Sequence, residues 1–173
     1  MKLIQTVAPS SEPLTLAEMK SFLRVLHGED DVLITSYITA AREKAESIMN
    51  RQLIEAEFTL YLDATRGSIT LPRPPFVELV SVQAYDGSTW NDVTEYDLDD
   101  KIVPAVLHVS SWPTVSSDKN SIKVVYRSGY ADVSKVPDSI KAWLRIEVEM
   151  MYDEERQRVN VDALLNSYRV IPV

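Results

Sequence analysis

The apolar period changes twice along this 173-residue chain, from helical spacing to strict alternation near Glu57 and back to helical spacing at Pro137. A chain with helices at both ends and strands between them must bring its ends together to bury their stripes. The expected fold class is therefore α+β, a mainly helical core of about four helices with an inserted antiparallel β-hairpin or small β-sheet region. One domain of residues 1–173 is expected. Residues 1–56 would form an arm and two helices, 57–130 the β insertion, and 131–173 the C-terminal helices and tail.

The first helix announces itself at Thr15, with Glu18 three residues later in capping-box spacing. Leu16, Met19, Phe22 and Leu23 follow at helical intervals, and His27-Gly28 supplies a stop that glycine can make by turning left-handed. Asp30 or Asp31 caps a second helix running to about Asn50. Its stripe is Ile34, Ile38, Ala41, Ala45 and Ile48, widened by Leu33, Tyr37 and Met49. Arg42, Glu43, Lys44 and Glu46 fall mainly off the stripe and read as a solvated face. Pro137 and Asp138 suit the start of a third helix, whose buried face is Ile140, Trp143, Leu144, Val148, Met151 and Tyr152. Asp153 to Arg158 reads as a charged exit. Asn160 can cap a short fourth helix near Ala163-Leu164-Leu165.

Between these lie Phe58, Leu60 and Leu62, which alternate with polar neighbours as a strand does. Ser68–Leu71 reads as a second strand, ended by Pro72, Pro74 and Pro75, which cannot donate ladder hydrogen bonds. Val80, Val82 and Ala84 alternate again, and Asp86-Gly87 reads as a two-residue hairpin turn with Trp90 on the return. Tyr96 with Leu98, Val106 with Val109, and Ile122 to Tyr126 read as further strands. Residues 110–121 hold five Ser and one Pro and read as an exposed loop.

The chemistry-bearing residues make no motif. Asp97, Asp99 and Asp100 lack the mid-loop glycine and distal glutamate of a calcium loop. His27 and His108, the two histidines, are far apart in sequence. Ser128 in Tyr126-Arg127-Ser128-Gly129-Tyr130 lacks the hydrolase elbow spacing. No phosphate-binding glycine pattern occurs, so no cofactor and no metal is expected. There is no cysteine, which removes disulfides and thiolate chemistry. The net charge of −8 disfavours a nucleic-acid binder that works by neutralising phosphates. Arg66, Arg73, Arg127, Arg145, Arg156, Arg158 and Arg169 are dispersed. No apolar run is long enough to span a bilayer, and the polar start is too short for a signal peptide. A cytoplasmic origin is expected. Trp143 reads as core. Trp90 and Trp112 are either folded-back lids or interface anchors.

Several segments, in order, carry a resemblance. They are Leu14-Thr15-Leu16-Ala17-Glu18 with Leu23-Arg24-Val25, then Asp30-Asp31 leading to Ala40-Ala41-Arg42. Ile69-Thr70-Leu71-Pro72-Arg73-Pro74-Pro75 follows, with Val124-Val125-Tyr126-Arg127-Ser128-Gly129-Tyr130, Val136-Pro137 and Ala163-Leu164-Leu165 with Tyr168-Arg169-Val170. Together they resemble the tailed-phage head–tail connector (adaptor, or head-completion) proteins. The resemblance implies a non-enzymatic subunit of a homo-oligomeric ring, a dodecamer being the size it suggests. The ring would sit under the portal protein, meet a tail or stopper protein, and let double-stranded DNA pass passively through its centre. It implies residence in the virion, after assembly in the host cytoplasm, and no membrane partner. An acidic lumen would let phosphates slide. The arm, the 110–121 loop and the apolar tail are the material for contacts, with Trp112, Arg169, Val170, Ile171 and Val173 as candidate interface residues. The competing readings are a small metal-dependent hydrolase built on Asp and His, and a nucleic-acid-binding packaging protein with converging arginines.

Overall fold

The computed structural model describes residues 1–153 and 159–171, and the chain in it divides into two compact units. Met1–Ser10 and Glu55–Gly129 form a β unit, and Ser11–Ile54 with Tyr130–Val173 a helical unit.

The β unit contains eight strands. They are β1 (Lys2–Val7), β2 (Ala56–Leu62), β3 (Ser68–Thr70), β4 (Phe76–Tyr85), β5 (Trp90–Asp92), β6 (Tyr96–Asp99), β7 (Val106–Val109) and β8 (Ile122–Ser128). A five-stranded antiparallel sheet has the order β1-β2-β8-β4-β5, and a three-stranded one the order β3-β7-β6. Alternation along β2 and β8 places Phe58 opposite Tyr126, Leu60 opposite Val124 and Leu62 opposite Ile122. Val82 and Ala84 of β4 extend those rows across Val124 and Ile122. Ile69 and Leu107 of the smaller sheet close over the same core. The Tyr126 hydroxyl donates to the Pro72 carbonyl at 2.9 Å, and burial pushes its pKa up.

The expectation of a mainly helical core with an inserted hairpin is thereby corrected. The fold is mixed α+β, and the β region buries an apolar core of its own, separate from the cluster of the helical unit. The reason is count: once two sheets each offer one apolar face, the faces cover each other. The N-terminal arm is part of this unit, since β1 is tied along β2 from Lys2 to Val7.

Two features of the strands depend on pairing. The β4–β8 register slips between Phe76 and Glu78 and again between Leu79 and Ser81. Val77 and Val80 are the extra residues at these bulges, and both are exposed. The hairpin after β4 has a four-residue turn, Asp86 to Thr89, rather than two. Gly87 sits at φ +106°, and the Asp86 carboxylate accepts from the Ser88 and Thr89 amides. Those bonds, to Thr89 first, hold its pKa far below the ordinary carboxylate value.

The helical unit holds α1 (Leu16–Leu23), α2 (Asp31–Met49) and α3 (Asp138–Tyr152), with short 3-10 turns at Val133–Lys135, Asp162–Leu164 and Asn166–Tyr168. The segment expected as a fourth helix is these last two turns, and Asn160 Oδ1 accepts from the Asp162 amide. Ile34, Ile38, Ala41, Ala45, Ile140, Trp143, Leu144 and Val148 pack together in the core. α1 ends earlier than Gly28 suggests. Arg24 itself turns left-handed at φ 59°, and its amide closes the helix on Lys20 and Ser21. Asp30 stands at the N-cap of α2 but makes no side-chain cap bond.

The Thr15 cap is complete. The Glu18 amide donates to Thr15 Oγ1 at 3.2 Å, and the Thr15 amide donates to Glu18 at 2.8 Å. The bond from the Thr15 amide is the main cause that lowers the Glu18 pKa. Thr15→Ala is expected to cost about 1 kcal/mol in denaturant melts. The sign of the pH effect follows from the lowered pKa. Glu18 adds stability above its unfolded value of 4.5, and that stability fades as acid protonates the folded form. Glu18→Gln should therefore flatten the stability curve below pH 4.5 and leave its shape at neutral pH unchanged.

The second correction concerns α2. Arg42 and Glu46, expected in a solvated face, are each 6% exposed. Arg42 Nε donates to Glu12 at 2.8 Å and Nη1 to Glu46 at 2.9 Å. Glu46 also accepts from the Gln52 side chain and the Leu53 amide. Burial opposes the charge on Arg42, but the Glu12 bond and the field of Glu46 outweigh it and raise its pKa. Two polar residues one turn apart are thus buried because segments before α1 and after α2 supply their partners.

Candidate functional site

The residues that could have carried chemistry are placed by local structure. His27 Nε2 lies 3.7 Å from Asp30, whose carboxylate also accepts from the Tyr152 hydroxyl at 2.6 Å. That bond is the main cause that raises the Tyr152 pKa. His108 is exposed on β7, with Nδ1 3.0 Å from Ser68 Oγ. His27 belongs to the helical unit and His108 to the β unit. Asp97 accepts from the Leu98 amide and Asp99 from the Lys101 amide, so both shape their own turn. Ser128 is buried on β8 with its hydroxyl unpartnered. Among the described residues no three His, Asp or Glu side chains are grouped to hold a metal ion.

The described residues of the helical unit line two depressions. A depression of about 240 Å³ lies beside Lys44, Glu147 and Asp162. Its charges are already engaged. Lys44 pairs with Glu147 at 2.5 Å, and Asp162 accepts the Trp143 indole N–H at 3.1 Å. A shallower one is lined by Ala17, Phe22 and Arg145. Two of the three arginines of the β unit, Arg73 and Arg127, are engaged by other groups, while Arg66 is exposed. Arg127 lies between Glu57 at 3.7 Å and Glu78 at 3.1 Å, and Arg73 also has an interaction partner. Arg156 and Arg158 lie outside the described residues.

The surface residues divide differently. Trp112 is half-buried on the β core and donates its indole N–H to the Arg66 carbonyl at 3.0 Å. The 110–121 loop is tied down again where the Ser116 amide donates to Tyr85 and the Asn120 amide to Asp63. Trp90 tilts against Tyr85, with Lys123 over its ring. Arg169 and Ile171 are exposed at the end of α2, held there by the Val170 amide donating to the Met49 carbonyl. Val173 lies outside the described residues.

Sequence reasoning missed the exposed apolar residues of the α1–α2 corner. Phe22, Leu26, Val32 and Leu33 all face solvent, Leu26 at 97% and Val32 at 83%. The available signal was position. Leu26 lies beyond the end of α1, and Val32 falls outside the Ile34–Ile38–Ala41–Ala45 stripe. Among the described residues no helix is long and apolar enough to cross a membrane.

Comparison with known proteins adds three facts. A family model for phage gp6-like head-tail connector proteins matches residues 13–145. The fold is that of a chain in the neck of an empty gene transfer agent (GTA) particle computed with C6 symmetry. The TM-score is 0.84 at 20% identity, covering 100% of this chain and 97% of the other. A chain of a native GTA virion matches at TM-score 0.83 and 20% identity, and one from a native GTA neck computed with C12 symmetry at 0.79 and 21%, with the same coverages. No curated protein matches.

Proposed function

This chain belongs to the phage gp6-like head–tail connector family, and from that premise we propose that it is a structural subunit of the virion head–tail junction. Copies of it form a ring beneath the portal, join capsid to tail, and leave a central passage for double-stranded DNA. It breaks no bonds and needs no cofactor. The observation that carries this reading is the end-to-end likeness to a neck chain in particles treated with six- and twelvefold symmetry. A ring of twelve copies is the size this favours. Repeated head-to-tail contacts close into a ring when the rotation between neighbours fits the circle.

The physical character of the chain suits that role. A subunit with net charge −8 presents a ring that repels phosphate, so DNA can move through without being gripped. The neighbours on the two ring faces are the portal and a tail or stopper protein. Arg169, Val170 and Ile171, with Val173, are contact residues in this reading, and Trp112 stiffens a loop offered at one face. The protein assembles from a cytoplasmic pool in the host.

Electron microscopy of the purified protein, alone and mixed with its cognate portal, tests the proposal. Annular particles or added density capping the portal are expected. Particles that stay monomeric in both samples would refute it.

A further inference from the structure

The helical unit carries two exposed apolar features at opposite ends of α2. At the N-terminal end is the α1–α2 corner, with Leu26 and Val32 almost fully solvent-exposed and Phe22 and Leu33 beside them in the chain. The corner is a fixed shape. Lys20 pairs with Asp31 at 2.5 Å, and the Asp31 amide donates to the Gly28 carbonyl. At the C-terminal end stands the tail. The Val170 amide donates to the Met49 carbonyl, and the Asn50 side chain donates to the Val170 carbonyl at 2.9 Å, while Ile171 is 80% exposed. The 19 residues of α2 separate these ends by roughly 28 Å.

A fixed apolar corner and a fixed apolar tail on opposite poles are the two halves of a head-to-tail contact. Charge agrees. The corner has Glu29, Asp30 and Asp31 with Lys20 and Arg24, and Arg145 beside Phe22; Asp31 is paired with Lys20, and Glu29 is the exposed carboxylate at the turn. The tail end has Arg51 and Arg169, and no carboxylate occurs from Asn166 to Ile171. A single surface that matched itself would need both features on one face; here each is complementary to the other on a second copy.

We infer that the α1–α2 corner of one copy receives the Arg169–Ile171 tail of the next, with Ile171 against Leu26 and Val32 and Arg169 facing Glu29. This deepens the ring reading and rests on it, because it names which surfaces of neighbouring copies meet.

The chain has no cysteine, so single cysteines can report the contact directly. Leu26→Cys and an affinity-tagged Ile171→Cys protein are mixed at assembly concentration and oxidised. A disulfide-linked heterodimer is expected in at least tenfold excess over either homodimer. Both sites are exposed, so neither substitution disturbs the core, and circular dichroism should be unchanged. Arg169→Glu should abolish the excess, and combining it with Glu29→Arg on the other protein should restore it. Heterodimer no more abundant than homodimer overturns the contact. Microscopy of the same mixture separates the two claims. Rings without the cross-link sink this contact alone, whereas an absence of rings, also with portal, removes the ring reading with it.

Discussion

Arg42→Leu is expected to lower the unfolding free energy by about 3–5 kcal/mol, the usual cost of removing one member of a buried ion pair. The loss is large because the partners stay behind. Glu46 is 6% exposed and would keep its charge in a nearly dry site, without the guanidinium, while Gln52 and the Leu53 amide still donate to it. Glu12 would keep its bond from Thr39 and lose the guanidinium. Arg42→Lys should recover part of the loss, since an ammonium cannot span Glu12 and Glu46 as the planar fork does. Removing Glu46 as well should not return the wild-type value, because the Leu53 amide and Gln52 would then be orphaned. Urea melts of the three variants decide the matter. A change under about 1 kcal/mol for Arg42→Leu would match a surface pair and contradict the burial.

The second large effect is expected at Trp143. Its ring is fully buried on α3 among Ile38, Ala41 and Ile140, and its indole N–H reaches the Asp162 carboxylate. Trp143→Ala removes the largest fully buried side chain and should cost about 3–5 kcal/mol. Trp143→Phe keeps most of the apolar volume and loses the hydrogen bond, so a smaller cost, roughly 1–3 kcal/mol, is expected. The difference between the two has a local signature. In Trp143→Phe, amide exchange should quicken in the 3-10 turn Asp162–Leu164, which the indole bond ties to α3, while the middle of α2 stays protected. Equal protection at both places would mean that the Asp162 bond anchors nothing. Against a typical total of about 5–15 kcal/mol, either large substitution endangers the fold.

Much of the local structure was legible because it is written in short-range patterns. The Thr15–Glu18 box, the Ile34–Ile38–Ala41–Ala45 stripe, and the alternation of Phe58-Leu60-Leu62 and Ile122-Val124-Tyr126 each fit within one element. What escaped depends on partners distant in sequence. Whether alternating strands hang on helices or cover each other is decided by how many sheets form, so the helical-core expectation failed. Arg42 and Glu46 looked solvated because Glu12 and Leu53, their partners, lie outside the helix. Val80 reads as core by alternation and is exposed because the slip against β8 inserts it as an extra residue. The surface features fared worst. Leu26 and Val32 break no rule of composition, and their meaning comes from exposure at a corner whose end Arg24, not Gly28, sets.

The place of β8 between β2 and β4 shapes how the chain must be born. The ribosome releases β1 first and β8 last of all the strands, yet β8 is the one that both long neighbours need. Until Ile122–Ser128 emerges, β2 and β4 have no common partner, and Phe58 and Leu60 wait uncovered while translation proceeds. Nascent chains stalled short of Ile122 should therefore be cut by protease throughout 56–85, and chains extended past Ser128 should resist.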